Sequence, residues 1–199
     1  MAVEIAEIKR LRELTGVGMT NAKKALEEAE GDFDKALSAM RKKGLTKAEK
    51  GAEREARAGI ISSYIHDNRI GVLLEVNSET DFVARNENFT SFVRDIAMHI
   101  AASAPQYVKS DDIPAEERER VTAEFTEKVK SEGKPENMVP QIVEGMVKKY
   151  FAEKCLLDQP YIKNPDQTVG DYVKETIARL GENLIVRRFS RMAVGEVTE

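Results

Sequence analysis

Asn77-Ser78-Glu79-Thr80-Asp81-Phe82-Val83-Ala84-Arg85-Asn86 is the stretch on which the rest of the chain is organised. The apolar run Ile70-Gly71-Val72-Leu73-Leu74-Glu75-Val76 leads into it and reads as a strand, with Val72, Leu74 and Val76 on one face. After it, Phe89, Phe92, Val93, Ile96 and Ile100 recur at the spacing of one buried helix face. The segment between them is a strand-to-helix corner, a place where a rigid scaffold presents side chains outward. Thr80 is suited to cap a turn over 81–84, and Asp81 to sit at the positive end of that turn. Phe82 is out of place among these polar neighbours. Its ring either plugs the scaffold's own core or is a wedge for another protein.

Moving upstream, Ile60–His66 and Ile70–Asn77 form a β-hairpin about Asp67-Asn68-Arg69. Before it, the densely charged run Lys42–Arg57 reads as a solvated linker of helical propensity, ended by Gly59. The opening residues read as three short helices. Ile5, Ile8, Leu11 and Leu14 advance by threes, so their stripe drifts around the first helix and leaves Leu11 or Leu14 exposed. Ala22, Ala25, Leu26 and Ala29 mark the second helix, and Asp32 caps the third, with Phe33, Ala36, Leu37 and Met40 on its inner side. Leu11 and Met19 either form a small apolar docking patch or close the bundle's own core.

Downstream, a helix starts at Ile113-Pro114 and runs to Glu132-Gly133. Pro135 and Pro140 bracket an irregular entry into a helix marked by Ile142, Val143, Met146, Val147, Tyr150, Phe151 and Cys155. Lys163–Gln167 reads as a loop, and Thr168-Val169-Gly170-Asp171 as a capping box opening the last helix. Leu184–Val194 is a strand that returns to the sheet. The fold class is therefore α+β: an N-terminal three-helix bundle over 1–45, a charged linker over 46–58, and an α+β core with a small antiparallel sheet over 59–199.

Composition narrows the function. The chain has 199 residues, 33% of them charged, and a formal net charge of −4, which argues against general nucleic-acid binding. One cysteine forms no internal disulfide, and no Cys/His cluster has metal-ligand spacing. No apolar run spans a bilayer and the first residues do not resemble a signal peptide, so a cytoplasmic location is expected. Gly16-Val17-Gly18 lacks the lysine and preceding strand of a phosphate loop, so neither nucleotide nor other cofactor is expected on the chain itself. The histidines His66 and His99 lack a nucleophile signature, Cys155 behaves as a small hydrophobe, and Arg187, Arg188 and Arg191 suit pairing with acids across a sheet. Glu79 and Asp81 with a histidine leave a hydrolase as one alternative reading.

Several separated motifs resemble the bacterial translation elongation factor Ts family. They are Ile8-Lys9-Arg10-Leu11-Arg12-Glu13-Leu14-Thr15-Gly16-Val17-Gly18-Met19 with Lys23-Lys24-Ala25-Leu26; Glu75 through Ala84; Glu144-Gly145 with Lys148-Lys149; Gln159-Pro160; and Gly181-Glu182-Asn183 with Val186-Arg187-Arg188. Thr20 and Met146 depart from the family pattern. The resemblance implies a non-enzymatic guanine-nucleotide exchange factor for elongation factor Tu, whose N-terminal bundle is like a ubiquitin-associated domain. It maps the exchange function onto Thr80, Asp81, Phe82 and Val83, with Phe82 as the wedge and the partner's Mg²⁺ and phosphate site as the target. A homodimer is expected, because longer members carry two related core halves and this chain has the length for one. An adaptor that binds a partner through the three-helix module, without exchange activity, is the alternative.

Overall fold

The computed structural model describes residues 4–15, 18–40 and 54–196. Most of the charged run expected as a linker lies outside them; Arg54 to Arg57 form an irregular lead-in to the first strand.

The N-terminal module contains α1 (Ile5–Thr15), α2 (Met19–Glu28) and a third helical run, α3, at 33–40. Its core is Ile8, Leu11, Ala22, Ala25, Leu26 and Ala36. Small alanine faces let the helices approach closely, and Leu11 fills the space between them with no exposed surface. Leu11 is thus a core residue, which removes it from the docking patch; Leu14 of the drifting stripe stays exposed, as does Ile5 at its start. Asp32 caps α3 as its position suggests, accepting from Lys35 N at 3.0 Å.

The larger part is built on a three-stranded antiparallel sheet of order β1-β2-β5, with β1 Ala58–His66, β2 Ile70–Ser78 and β5 Leu184–Ala193. Asp67 and Asn68 both take positive φ in the β1–β2 turn, a conformation that short polar side chains tolerate. Val72, Leu74 and Val76 face inward against α5 (Glu87–Ser103), whose Phe89, Phe92, Val93, Ile96 and Ile100 are fully buried. From α8 (Val169–Leu180), Val169, Val173 and Ile177 complete this core. Between β2 and α5 lies the short helix α4 (Asp81–Ala84).

A second core joins α6 (Ala115–Ser131) and α7 (Val139–Lys154) through Val121, Val129, Val143, Val147 and Phe151. Pro140 belongs to the first turn of α7, where its missing N–H leaves no helical bond unmade. Residues 163–167 are not a loop throughout. Asn164–Thr168 forms β4, paired with β3 (Pro160–Tyr161). Tertiary contacts hold this polar hairpin: Tyr161 and Tyr172 stack at 4.4 Å between ring centres, and both hydroxyls donate to Asp95. The capping box at Thr168 is present, its hydroxyl accepting from Asp171 N at 3.1 Å.

Candidate functional site: an exposed aromatic on a pinned corner

The site begins where β2 leaves the sheet. Thr80 has extended backbone, and its hydroxyl accepts from Val83 N at 3.4 Å, capping α4. Two turns of hydrogen bonding then carry the chain into α5: Arg85 N donates to Phe82 O, Asn86 N donates to Val83 O, and Asn86 in turn caps α5 through Asn88 N. The α4 residues divide by direction. Val83 and Ala84 are buried in the main core, whereas Asp81 and Phe82 point to solvent. Phe82 is 82% exposed, which excludes the core-plug reading of its ring in this structure.

Polar contacts fix the corner from outside. Glu182 accepts from both Thr80 N, at 3.1 Å, and Thr80 Oγ1, at 2.7 Å. Glu79 accepts from Asn183 N at 2.5 Å and pairs with Arg54 at 3.1 Å. Ser78 Oγ donates to Thr80 O at 2.9 Å, so the last residues of β2 are tied to the turn they feed. Glu182 and Asn183 close on the corner, although their partners lie 102 and 104 positions away. No local pattern announces that pairing. Gly181, at φ +81°, ends α8 in the left-handed conformation and turns Glu182 toward Thr80.

The hydrolase reading finds no assembled site. Glu79 is occupied by Arg54 and Asn183, and neither histidine bonds to Glu79 or Asp81. His66 is exposed beside Tyr64 and Asp67. His99 is fully buried, accepting from Ile162 N on Nδ1 and facing Gln159 Oε1 with Nε2; burial holds its pKa below the ordinary histidine value. Cys155 has no exposed surface, and burial, reinforced by Asp158 and Asp112, pushes its thiol up to about 11, so it is inert. Arg188 pairs with Glu75 directly across the sheet at 2.6 Å, and its hydrogen bond lowers the pKa of that carboxyl. Arg191 reaches Glu196 and the Ala101 carbonyl. Among the described residues no group of three or more His, Cys, Asp or Glu is placed to hold a metal ion, and no helix is long and apolar enough to cross a membrane.

Two further exposed apolar surfaces stand apart from the corner. On the N-terminal module, Ile5, Leu14 and Met19 are exposed. On the sheet face opposite α5, Ile61 and Ile65 of β1, Leu73 of β2 and Met192 of β5 are between 56% and 72% exposed. The registers Ser63↔Leu73, Ile65↔Gly71 and Gly71↔Met192 place these four on one side.

The family model described as Elongation factor TS matches residues 45–196. Among curated proteins, the chain is 53% identical to Elongation factor Ts of Alkaliphilus metalliredigens, covering 100% of this chain and 93% of that protein. It is 51% identical to Elongation factor Ts of Thermodesulfovibrio yellowstonii over 100% of both, and 50% identical to that of Geobacter sulfurreducens over 100% of this chain and 93% of the relative. With a family match over most of its length and such relatives end to end, the chain belongs to the elongation factor Ts family.

Proposed function

We propose that the chain is a guanine-nucleotide exchange factor that binds GDP-loaded elongation factor Tu, disturbs its Mg²⁺ and phosphate site, and promotes GDP release. The observation that carries this reading is the Phe82 ring, 82% exposed on a corner whose backbone is held from both sides. A GTPase holds GDP with backbone N–H groups, a lysine and Mg²⁺ acting together. An exchange factor breaks no covalent bond; it binds the nucleotide-free partner more tightly than the loaded one, and linkage makes the two affinities reciprocal. Burying an exposed aromatic ring is worth about 1.5–3 kcal/mol, and that gain favours exchange when it is realised only in the distorted partner. Asp81, exposed beside Phe82, brings a negative charge to the partner's phosphate and metal surroundings. Thr80 caps the turn and Val83 anchors it in the core, so these two present the wedge.

The N-terminal module, of ubiquitin-associated type in this reading, is a second contact, made by Met19 with Leu14 and Ile5 in place of the buried Leu11. The exposed sheet face supports a homodimer in which two copies cover Ile61, Ile65, Leu73 and Met192. The cytoplasm is where such a factor meets its partner. The test is release of a fluorescent GDP analogue from elongation factor Tu, followed by stopped flow with and without the purified chain. Acceleration that weakens as Mg²⁺ is raised is the expected result. Binding without acceleration would make the chain an adaptor and overturn the exchange reading, as would the absence of both binding and acceleration.

A further inference from the structure

The proposed exchange role accounts for Phe82 and Asp81 but gives no work to the two carboxylates behind them. We propose that Glu182 and Glu79 are positioning residues, a reciprocal clasp between the wedge corner and the turn after α8 that sets the direction in which Phe82 projects. The inference rests on the exchange reading for its consequence, and on the geometry alone for the clasp.

The clasp is reciprocal in detail. The side chain of residue 182 takes the backbone N–H of residue 80, and the side chain of residue 79 takes the backbone N–H of residue 183. Arg54 neutralises Glu79, while Asn183 Nδ2 donates to the Arg54 carbonyl at 2.7 Å, drawing a third segment into the same knot. The hydroxyl of Thr80 is the link that matters. It donates to Glu182 at 2.7 Å and accepts from Val83 N at 3.4 Å. A hydroxyl has one proton and a freely rotating O–H bond. By accepting the hydrogen bond from that O–H, Glu182 leaves an oxygen lone pair facing Val83 N–H, and the charge of the carboxylate polarises the hydroxyl into a better acceptor. The cap on α4 therefore depends on a residue 102 positions away. The underside of the corner is already secured by Val83 and Ala84 in the core. The clasp grips its solvent side, the side that carries Asp81 and Phe82.

Glutamine at 182 keeps the shape but offers one acceptor oxygen to two donors, so a graded series is available. The full chain is compared as wild type, Glu182→Gln, Glu182→Ala, Phe82→Ala and the Glu182→Ala/Phe82→Ala double variant. The readouts are GDP release at saturating factor, a melting curve, and solvent exchange of the Val83 amide by NMR. Losing a charge-assisted pair of hydrogen bonds should lower the saturating rate about tenfold in Glu182→Ala, with Glu182→Gln between it and wild type. The double variant should be no slower than Phe82→Ala alone, because the clasp acts through that ring. In the free protein the Val83 amide should exchange faster in Glu182→Ala. A wild-type rate in Glu182→Ala, or an equal loss in the Phe82→Ala background, overturns the functional part. If Phe82→Ala itself exchanges like wild type, the wedge reading fails instead. Amide exchange then decides the clasp alone, and an unchanged Val83 amide overturns it. Should Glu182→Ala not fold, Glu182→Gln carries each comparison.

Discussion

Phe82 and Val83 are adjacent residues with opposite tasks, and substitution separates them. Truncating a core aromatic costs about 3–5 kcal/mol, but Phe82 contributes little to its own core, so Phe82→Ala should shift the melting temperature by no more than a degree or two while slowing stimulated GDP release severalfold or more. A large fall in melting temperature with undiminished exchange would show instead that the ring is structural. His99 gives a second prediction at this scale. Its pKa lies below 6.5 in the folded protein, so the unfolded chain takes up a proton that the native chain refuses. Stability is therefore full above about pH 6.5 and declines as pH falls from there toward the folded value. Melting temperatures at pH 7.5 and 5.5 should differ more in wild type than in His99→Gln. Residue-scale legibility was uneven. The polar neighbours of Phe82 marked it as anomalous but left plug and wedge both open, and Leu11 was settled only by how α1 packs on the alanines of α2 and α3.

The elements with regular periodicity were readable from the chain because burial of one face requires it. Phe89, Phe92, Val93, Ile96 and Ile100 are all internal, and Thr168 and Asp171 form the reciprocal cap their spacing suggests. Thr168→Ala should cost about 1 kcal/mol in urea denaturation. The β3–β4 hairpin was not legible, because Asn164, Pro165 and Asp166 disfavour strands and the pairing rests on Tyr161, Tyr172 and Asp95 brought from three separate segments. Gly59 offers a sharper test of β1. It has φ +139°, and a Cβ there would lie 2.2 Å from Val76 O, a backbone atom of the neighbouring strand. Gly59→Ala should destabilise the protein by about 3 kcal/mol or more, read as a lower denaturation midpoint, and should loosen the sheet end nearest the corner.

At the level of the whole molecule, the sheet has one filled face and one bare one. Lysine at Ile65 and Met192 together should leave the fold intact, since both side chains are exposed, and should convert a dimer to a monomer in light scattering at micromolar concentration. A wild-type chain already monomeric there would rule out the dimer. The α+β class and the order of the elements other than β3 and β4 could be read from sequence, because each of those elements is local. The clasp could not, since Glu79, Thr80, Glu182 and Asn183 become neighbours only after the sheet closes. That closure has a bearing on timing. The chain is made from its N-terminus, and Phe82 emerges long before Glu182 and β5. A growing copy thus carries the ring without the brace behind it, and acquires the finished corner only when its last strand is free to join β2. Under the proposed exchange role, nascent chains would be poor competitors for the partner, and activity would arrive late in synthesis.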